Sequence, residues 1–129
     1  MQPPSTEELW RLLLWGYLLT ITLETPVLLF GLSPRHAWPR RLFASVWLTS
    51  CTYPIVGILL PLTVWPLWGY AAYLVVAETF APLAECAIFL TAFADKQSSW
   101  RETARDCAAI VVANLVSFIV GGWLLEMLQ

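Results

Sequence analysis

The stretch Val75–Phe93, VVAETFAPLAECAIFLTAF, constrains this chain more than any other. It is apolar and close to the roughly 20 residues that a bilayer crossing needs, yet it carries Glu78 and Glu85. Seven positions separate the two acids, so on a helix both project from one face. Pro82, between them, has no N–H and frees a carbonyl on the preceding turn. An acid in hydrocarbon costs roughly 2.5–3.5 kcal/mol even on a lenient insertion scale. The other apolar segments are therefore expected to form walls around this helix.

The composition sets the class. Of 129 residues, 59% are hydrophobic and 12% charged, against about a quarter charged in a soluble domain. The expected fold is all-α: a polytopic integral membrane protein, one membrane domain over residues 1–129, in a four-transmembrane-helix bundle. The spans are expected at about 9–32, 42–62, 70–94 and 107–125, which leaves no room for a soluble catalytic domain. The acidic start and the lack of an A-x-A site after the first apolar run speak against a cleavable signal peptide. Cys51, Cys86 and Cys107 have no CxxC spacing, and read as small buried filler rather than as a disulfide framework or a zinc site.

Local signals divide the chain. Ser5 and Glu8 form a capping box (S-x-x-E) that opens the first helix, and Ser99 and Glu102 form a second one before the last. Gly16, Thr20 and Glu24 recur every four residues in the first span, as do Ala113, Ser117 and Gly121 in the last. Such small-residue stripes suit close helix packing. The second span reads Thr49-Ser50-Cys51-Thr52-Tyr53-Pro54 at its middle, and the uncharged TVWPLWG is expected as a tight turn into the third.

Orientation follows from the basic residues. Arg35, Arg40, Arg41, Lys96, Arg101 and Arg105 all fall in the two loops that share one side, and only Arg11 lies opposite. Both loops are thus expected in the cytoplasm and both termini outside it, in an inner or plasma membrane. Trp10, Trp65, Trp68 and Trp123 would then mark the outer interface, and Trp38 and Trp100 the inner one. The loop arginines are accounted for by topology, with anionic lipid headgroups as their contact. His36 reads as an interfacial residue among them. Glu24-Thr25-Pro26 and Glu78-Thr79…Pro82 stand 54 positions apart, which suggests two parallel helical hairpins from a duplication.

Depth, at about 1.5 Å per residue, can be compared between spans. Counted from the cytoplasmic ends, Glu24, Thr49 to Thr52, Glu85 and Asn114 lie in one layer roughly 10–15 Å in, with Glu78 two turns further out. No Lys or Arg reaches this depth. The acids can be protonated and donate to freed carbonyls, hold a cation with hard oxygen ligands, or alternate between the two. Glu24, Glu78, Glu85, Asn114, Thr49 and Thr52 are therefore the expected cation- or proton-binding residues, with Glu24 and Glu85 the ligands of any metal. The competing readings are structural: Pro54 and Pro61 as plain kinks, and Asn114 with Ser117 as interhelical glue.

In length and layout the chain resembles small multidrug-resistance carriers and fluoride channels. The former share a first-span acid, but the residues around Glu24 differ, and the signature residues of both groups are absent. Four-helix bundles that form disulfides or reduce quinones need cysteine pairs that are missing here. No phosphate loop, nucleophile triad or nucleic-acid surface is present. The expected function is a small transporter or channel component that binds or relays a cation or proton, its pathway completed in a homo-oligomer or in a larger membrane complex. A non-transporting assembly subunit is the competing class. A lipid-modifying intramembrane enzyme ranks last, for want of a nucleophile, so the chain is expected not to be an enzyme. Beyond a bound cation, no cofactor is implied.

Overall fold

Helix 1 (α1, Thr6–Gly31) begins where the sequence places its capping box: the Ser5 Oγ accepts from the Glu8 N–H, and the Ser5 N–H donates to Glu8 Oε2 at 2.8 Å. The structure, a computed structural model, describes residues 2–93 and 95–128. Ala94, where the third expected span ends, lies outside the described residues, as do Met1 and Gln129 at the limits of the expected domain. After α1 come α2 (Trp38–Pro54), a π-helical turn (Ile55–Leu59), α3 (Leu60–Phe93) and α4 (Trp100–Met127). The second capping box, Ser99 with Glu102, starts α4 seven residues before the expected span. Its first two turns therefore carry charged residues that the sequence reading left in a loop.

The protein is all-α, and three helical stretches are long and apolar enough to cross a membrane: Thr6–Gly31, Trp38–Phe93 and Trp100–Met127. The second and third expected spans lie in one helical stretch. The middle stretch holds 56 residues, and the expected TVWPLWG turn is helical as far as Trp68. Its one break is Gly69, at φ 87° and ψ 171°, a region open essentially to glycine alone. Beyond it the chain returns along its own path. Trp65 stacks on Tyr73 with ring centroids 5.5 Å apart, and the Tyr73 hydroxyl reaches the Val56 carbonyl at 3.3 Å.

The π turn has a local cause. Pro54 and Pro61 flank it, and neither has an N–H to give. The Leu60 N–H bonds five residues back, to the Ile55 carbonyl. Pro61 has no N–H to continue that register, and Tyr73 supplies a donor to Val56 instead. The prolines thus change the helix register here, which is more than the plain kink of the competing reading.

In packing, α1 lies against α2 and α4, and α3 against the same two. The closed ring is apolar outside and polar within. Phe30 is 77% exposed, Leu83 66% and Ile119 64%, whereas Glu24, Thr49, Thr52, Glu85, Asp106 and Asn114 are buried. An exterior this apolar matches a lipid solvent better than water. Cys51 faces outward, contrary to its reading as buried filler; all three cysteines are free. Leu28, Leu48, Phe89 and Ile110 form a dry layer one turn nearer the connecting loops than the buried glutamates.

Gly69→Ala is expected to destabilise the fold by about 1–3 kcal/mol, the cost of a non-glycine residue in so sparsely populated a conformation. No neighbour lies within 4 Å of an added Cβ, so the loss would be purely one of backbone strain. A thermal midpoint in detergent equal to wild type would refute it.

Candidate functional site

Glu24 and Glu85 face each other's helices across the ring, each clasped by one donor from α2 and one from α4. The Thr49 hydroxyl donates to Glu24 Oε2 at 2.9 Å and the Ser117 hydroxyl to Oε1 at 2.7 Å. The Thr52 hydroxyl donates to Glu85 Oε1 at 2.7 Å and the Asn114 amide to Oε2 at 2.7 Å. Each donor pair is three residues apart on its helix, one turn, which puts both members on the inner face. The pattern is crossed. Each acid takes the inner donor of its own hairpin and the outer donor of the other.

The three hydroxyls each have a second acceptor in their own helix. Thr49 Oγ1 lies 3.0 Å from the Ser45 carbonyl, Thr52 Oγ1 3.2 Å from that of Leu48, and Ser117 Oγ 3.0 Å from that of Asn114. A hydroxyl has one hydrogen, and in each case the carboxylate is the nearer acceptor. If the carboxylate changes state, the hydroxyl can turn back to its own helix without losing a partner. Among the described residues, no Lys, Arg or His pairs with any of the three glutamates.

Above this layer, toward Gly69 and the chain ends, lies a cavity of about 180 Å³. Glu24, Glu85, Asn114, Thr49, Thr52 and Ser117 line its floor; Thr20, Tyr53, Tyr73, Phe118 and Glu78 line its sides. Glu78 is half-buried and no described residue hydrogen-bonds to it. Among the described residues, no three His, Cys, Asp or Glu side chains gather as a metal set. A cation here would draw on Glu24 and Glu85 together with hydroxyl and amide oxygens.

The packing residues are placed as follows. Gly16 gives room to Tyr53, whose hydroxyl would overlap any Cβ at that position. Ala113 is buried in the dry layer, and Gly121 abuts the side chains of Leu19 and Leu23. Ser117 is more than packing, since it holds Glu24. Glu24 and Glu78 do not play matching parts, although the sequence pairs them. Glu24 corresponds to Glu85, 61 positions on, while Thr49 and Thr52 correspond to Asn114 and Ser117, each 65 positions on.

A second cluster escaped the sequence reading. Asp106 is fully buried. It accepts from the Ser33 N–H at 2.6 Å, the Ser33 hydroxyl at 3.1 Å, His36 Nε2 at 2.9 Å and Arg35 Nη2 at 3.5 Å. His36 is buried too, edge-on to Phe89 and Phe93, so it is not an interfacial residue. The loop arginines also serve structure. Arg41 donates to the Leu29, Ser33 and His36 carbonyls, Arg105 to Gly31 and Arg35 to Phe93. Cations at these helix C-termini satisfy orphan carbonyls and oppose the helix dipoles. The signal for Asp106 was present: with α4 started at Ser99, it heads the buried stripe Ala109, Ile110, Ala113, Asn114.

No protein family, curated protein or solved structure matches this chain.

Burial pushes the His36 imidazole below its ordinary value of 6.5, while the hydrogen bond and charge of Asp106 pull it back up; Arg35 and Arg40 add to the lowering. The neutral ring is therefore the folded form, and an unfolded His36 takes a proton more readily. Its contribution to stability is complete above about pH 6.5 and is lost as pH falls through the lowered folded value. Wild type should lose thermal stability on acidification from about pH 8 to about pH 5.5, and His36→Gln should lose measurably less over the same range. Equal slopes for the two proteins would contradict this.

Proposed function

We propose that this chain crosses a cell membrane four times, with both termini outside the cytoplasm. In this reading it is a transporter or channel component that binds or relays a cation or proton on Glu24, Glu78 and Glu85. Support for four crossings comes from the middle stretch. At about 1.5 Å per residue its 56 residues are far longer than a roughly 30 Å hydrocarbon core, and Gly69 supplies the reversal. Six cationic residues in the two connections and the first turns of α2 and α4 that follow them, against Arg11 alone opposite, support the orientation. Arg40, Lys96 and Arg101 are exposed there and suit anionic headgroups.

The observation that carries the reading is the double set of acceptors around the acid pair. A structural acid needs fixed donors. Here three hydroxyls can satisfy either a carboxylate or their own helix, so protonation or cation binding strands no donor. With a cation in place, the hydroxyls turn to their carbonyls and present lone pairs beside the carboxylates, a hard oxygen set. Glu78, to which no described residue hydrogen-bonds, is two turns nearer the open end, takes the charge first and passes it inward. The dry layer of Leu28, Leu48, Phe89 and Ile110 closes the inner half. Passage then requires that layer to part or a path between copies, hence a homo-oligomer or a place in a larger membrane complex.

Two measurements test this. A reporter fused after Gln129 should be active only outside the cytoplasm; cytoplasmic activity would remove the orientation and the depth alignment with it. Glu24→Gln and Glu85→Gln preserve shape but not charge, and each should reduce ion flux in reconstituted vesicles to the level of protein-free vesicles while leaving the oligomer intact. Flux that survives both substitutions would exclude the carboxylate site. Vesicles silent for protons and common cations would favour an assembly subunit.

A further inference from the structure

Two pockets adjoin on the outside of the bundle, at the loop end of α2 and α3. Arg35, Arg40, Ala92, Phe93 and Asp95 line a polar one of about 250 Å³. Ala92 also closes an apolar groove of about 370 Å³, whose other walls are Trp47 of α2 and Ala87, Ile88 and Thr91 of α3. Trp47 meets Phe93 edge to face at 6.1 Å, so the two pockets share an aromatic wall as well. Thr91 adds no free donor, because its hydroxyl donates to the Ala87 carbonyl at 2.7 Å. The charges of the polar pocket are not equivalent. Arg35 is committed: it donates to the Phe93 carbonyl at 3.0 Å and pairs with Asp106 at 3.5 Å. Arg40 is exposed, lies over the Phe93 ring at 5.2 Å and hydrogen-bonds to no described residue. Asp95 is exposed too; its Oδ1 accepts from the Gln97 N–H at 3.0 Å, and no described cation pairs with it. One cation and one anion thus stand at the mouth of an apolar groove.

We propose that this face binds a membrane phospholipid whose headgroup carries both a phosphate and a primary ammonium. The phosphate meets Arg40, the ammonium meets Asp95, and an acyl chain lies along the groove. The inference is independent of the carboxylate site and requires only that the apolar exterior meets lipid. The order of the parts fits a lipid. The charged pocket lies at and beyond the last turn of α3, and the groove runs back from Ala92 to Ala87, about 7–8 Å at helical rise. A guanidinium offers a phosphate two parallel N–H donors. An anionic headgroup engages Arg40 but turns its surplus negative charge toward Asp95. A choline headgroup matches both charges yet has no N–H to give the carboxylate, whereas a primary ammonium has three. A free phosphate makes no use of the groove. An apolar helix laid in it would cover Arg40 and Asp95 without giving either a partner, which is costly.

The test is native mass spectrometry of the full chain released from mixed micelles of lipids with identical acyl chains. The micelles hold equal amounts of phosphatidylethanolamine, its mono- and dimethylated forms, phosphatidylcholine and phosphatidylglycerol. Phosphatidylethanolamine should be retained over phosphatidylcholine by roughly tenfold, the order of one charge-assisted hydrogen bond, with the methylated forms between them in sequence. Asp95→Asn should remove most of that preference, and Arg40→Gln should weaken retention of every phospholipid. Ala87→Trp, which fills the groove and leaves both pocket charges in place, should weaken it too. The methylation series reads the wild-type protein alone, so a variant that fails to fold does not blunt the test. Equal retention along that series, a preference for phosphatidylglycerol, or a preference untouched by Asp95→Asn overturns the proposal. Displacement by glycerophosphoethanolamine, the headgroup without its chains, also overturns it and marks a free-phosphate site. A lipid-free dimer that Ala87→Trp breaks overturns it as well and marks a second copy on this face. Glu24→Gln and Glu85→Gln should retain lipid as wild type does, so failure of the carboxylate site and failure of this one are separate results.

Discussion

Two buried carboxylates, with no cationic partner among the described residues, are the constraint around which this protein is arranged. Each oxygen of Glu24 and Glu85 has one donor, and the four donors come from two helices that pack against both acid-bearing ones. The crossed pattern ties the two hairpins together. Moving α2 or α4 along its axis by a turn would strip donors from both acids at once. Unsatisfied, such groups carry a desolvation cost of several kcal/mol, so the layer fixes the register of the whole ring. The dry layer beneath it and the Asp106 cluster beyond act on the same register from the other side.

The two ends of the ring differ in kind. At the loop end, Arg35, Arg41 and Arg105 satisfy helix carbonyls and Asp106 anchors the Ser33–His36 turn, an arrangement built to stay shut. At the other end the helix register slips through a π turn, the acidic cavity extends outward, and no described residue hydrogen-bonds to Glu78. The least regular backbone, the π turn, thus lines the acidic cavity through Val56 and Gly57. The hydroxyls of Thr49, Thr52 and Ser117 lie at the boundary between the two, each within reach of two acceptors.

Much of this was legible before any coordinates. Both capping boxes form where Ser5–Glu8 and Ser99–Glu102 place them, because the signal is local and its geometry is complete within four residues. The shared depth of Glu24, Thr49, Thr52, Glu85 and Asn114 follows from helical rise alone, and their side chains do meet. Other features were misread. TVWPLWG, expected as a tight turn, makes that turn only at its last residue, Gly69, and the residues before it, Pro66 included, are helical. His36 was expected at the interface and is buried against Asp106, which lies on α4 one residue before the expected start of the last span. The repeat was matched on Glu-Thr and Pro letters, which pairs Glu24 with Glu78, whereas the hydrogen bonds pair it with Glu85.

The sequence by itself determined the long apolar helices, their capping boxes and the shared depth of Glu24, Thr49, Thr52, Glu85 and Asn114. These depend on composition and on the rise of one helix, which each segment carries alone. Tertiary structure decided which donor meets which acid, that Asp106 and His36 are partners, and that Arg40 and Asp95 share one pocket. Those facts depend on the rotation of one helix against another, and helix rotation is set by packing over the whole ring. A span's own residues fix only which of its faces is polar, not what that face meets.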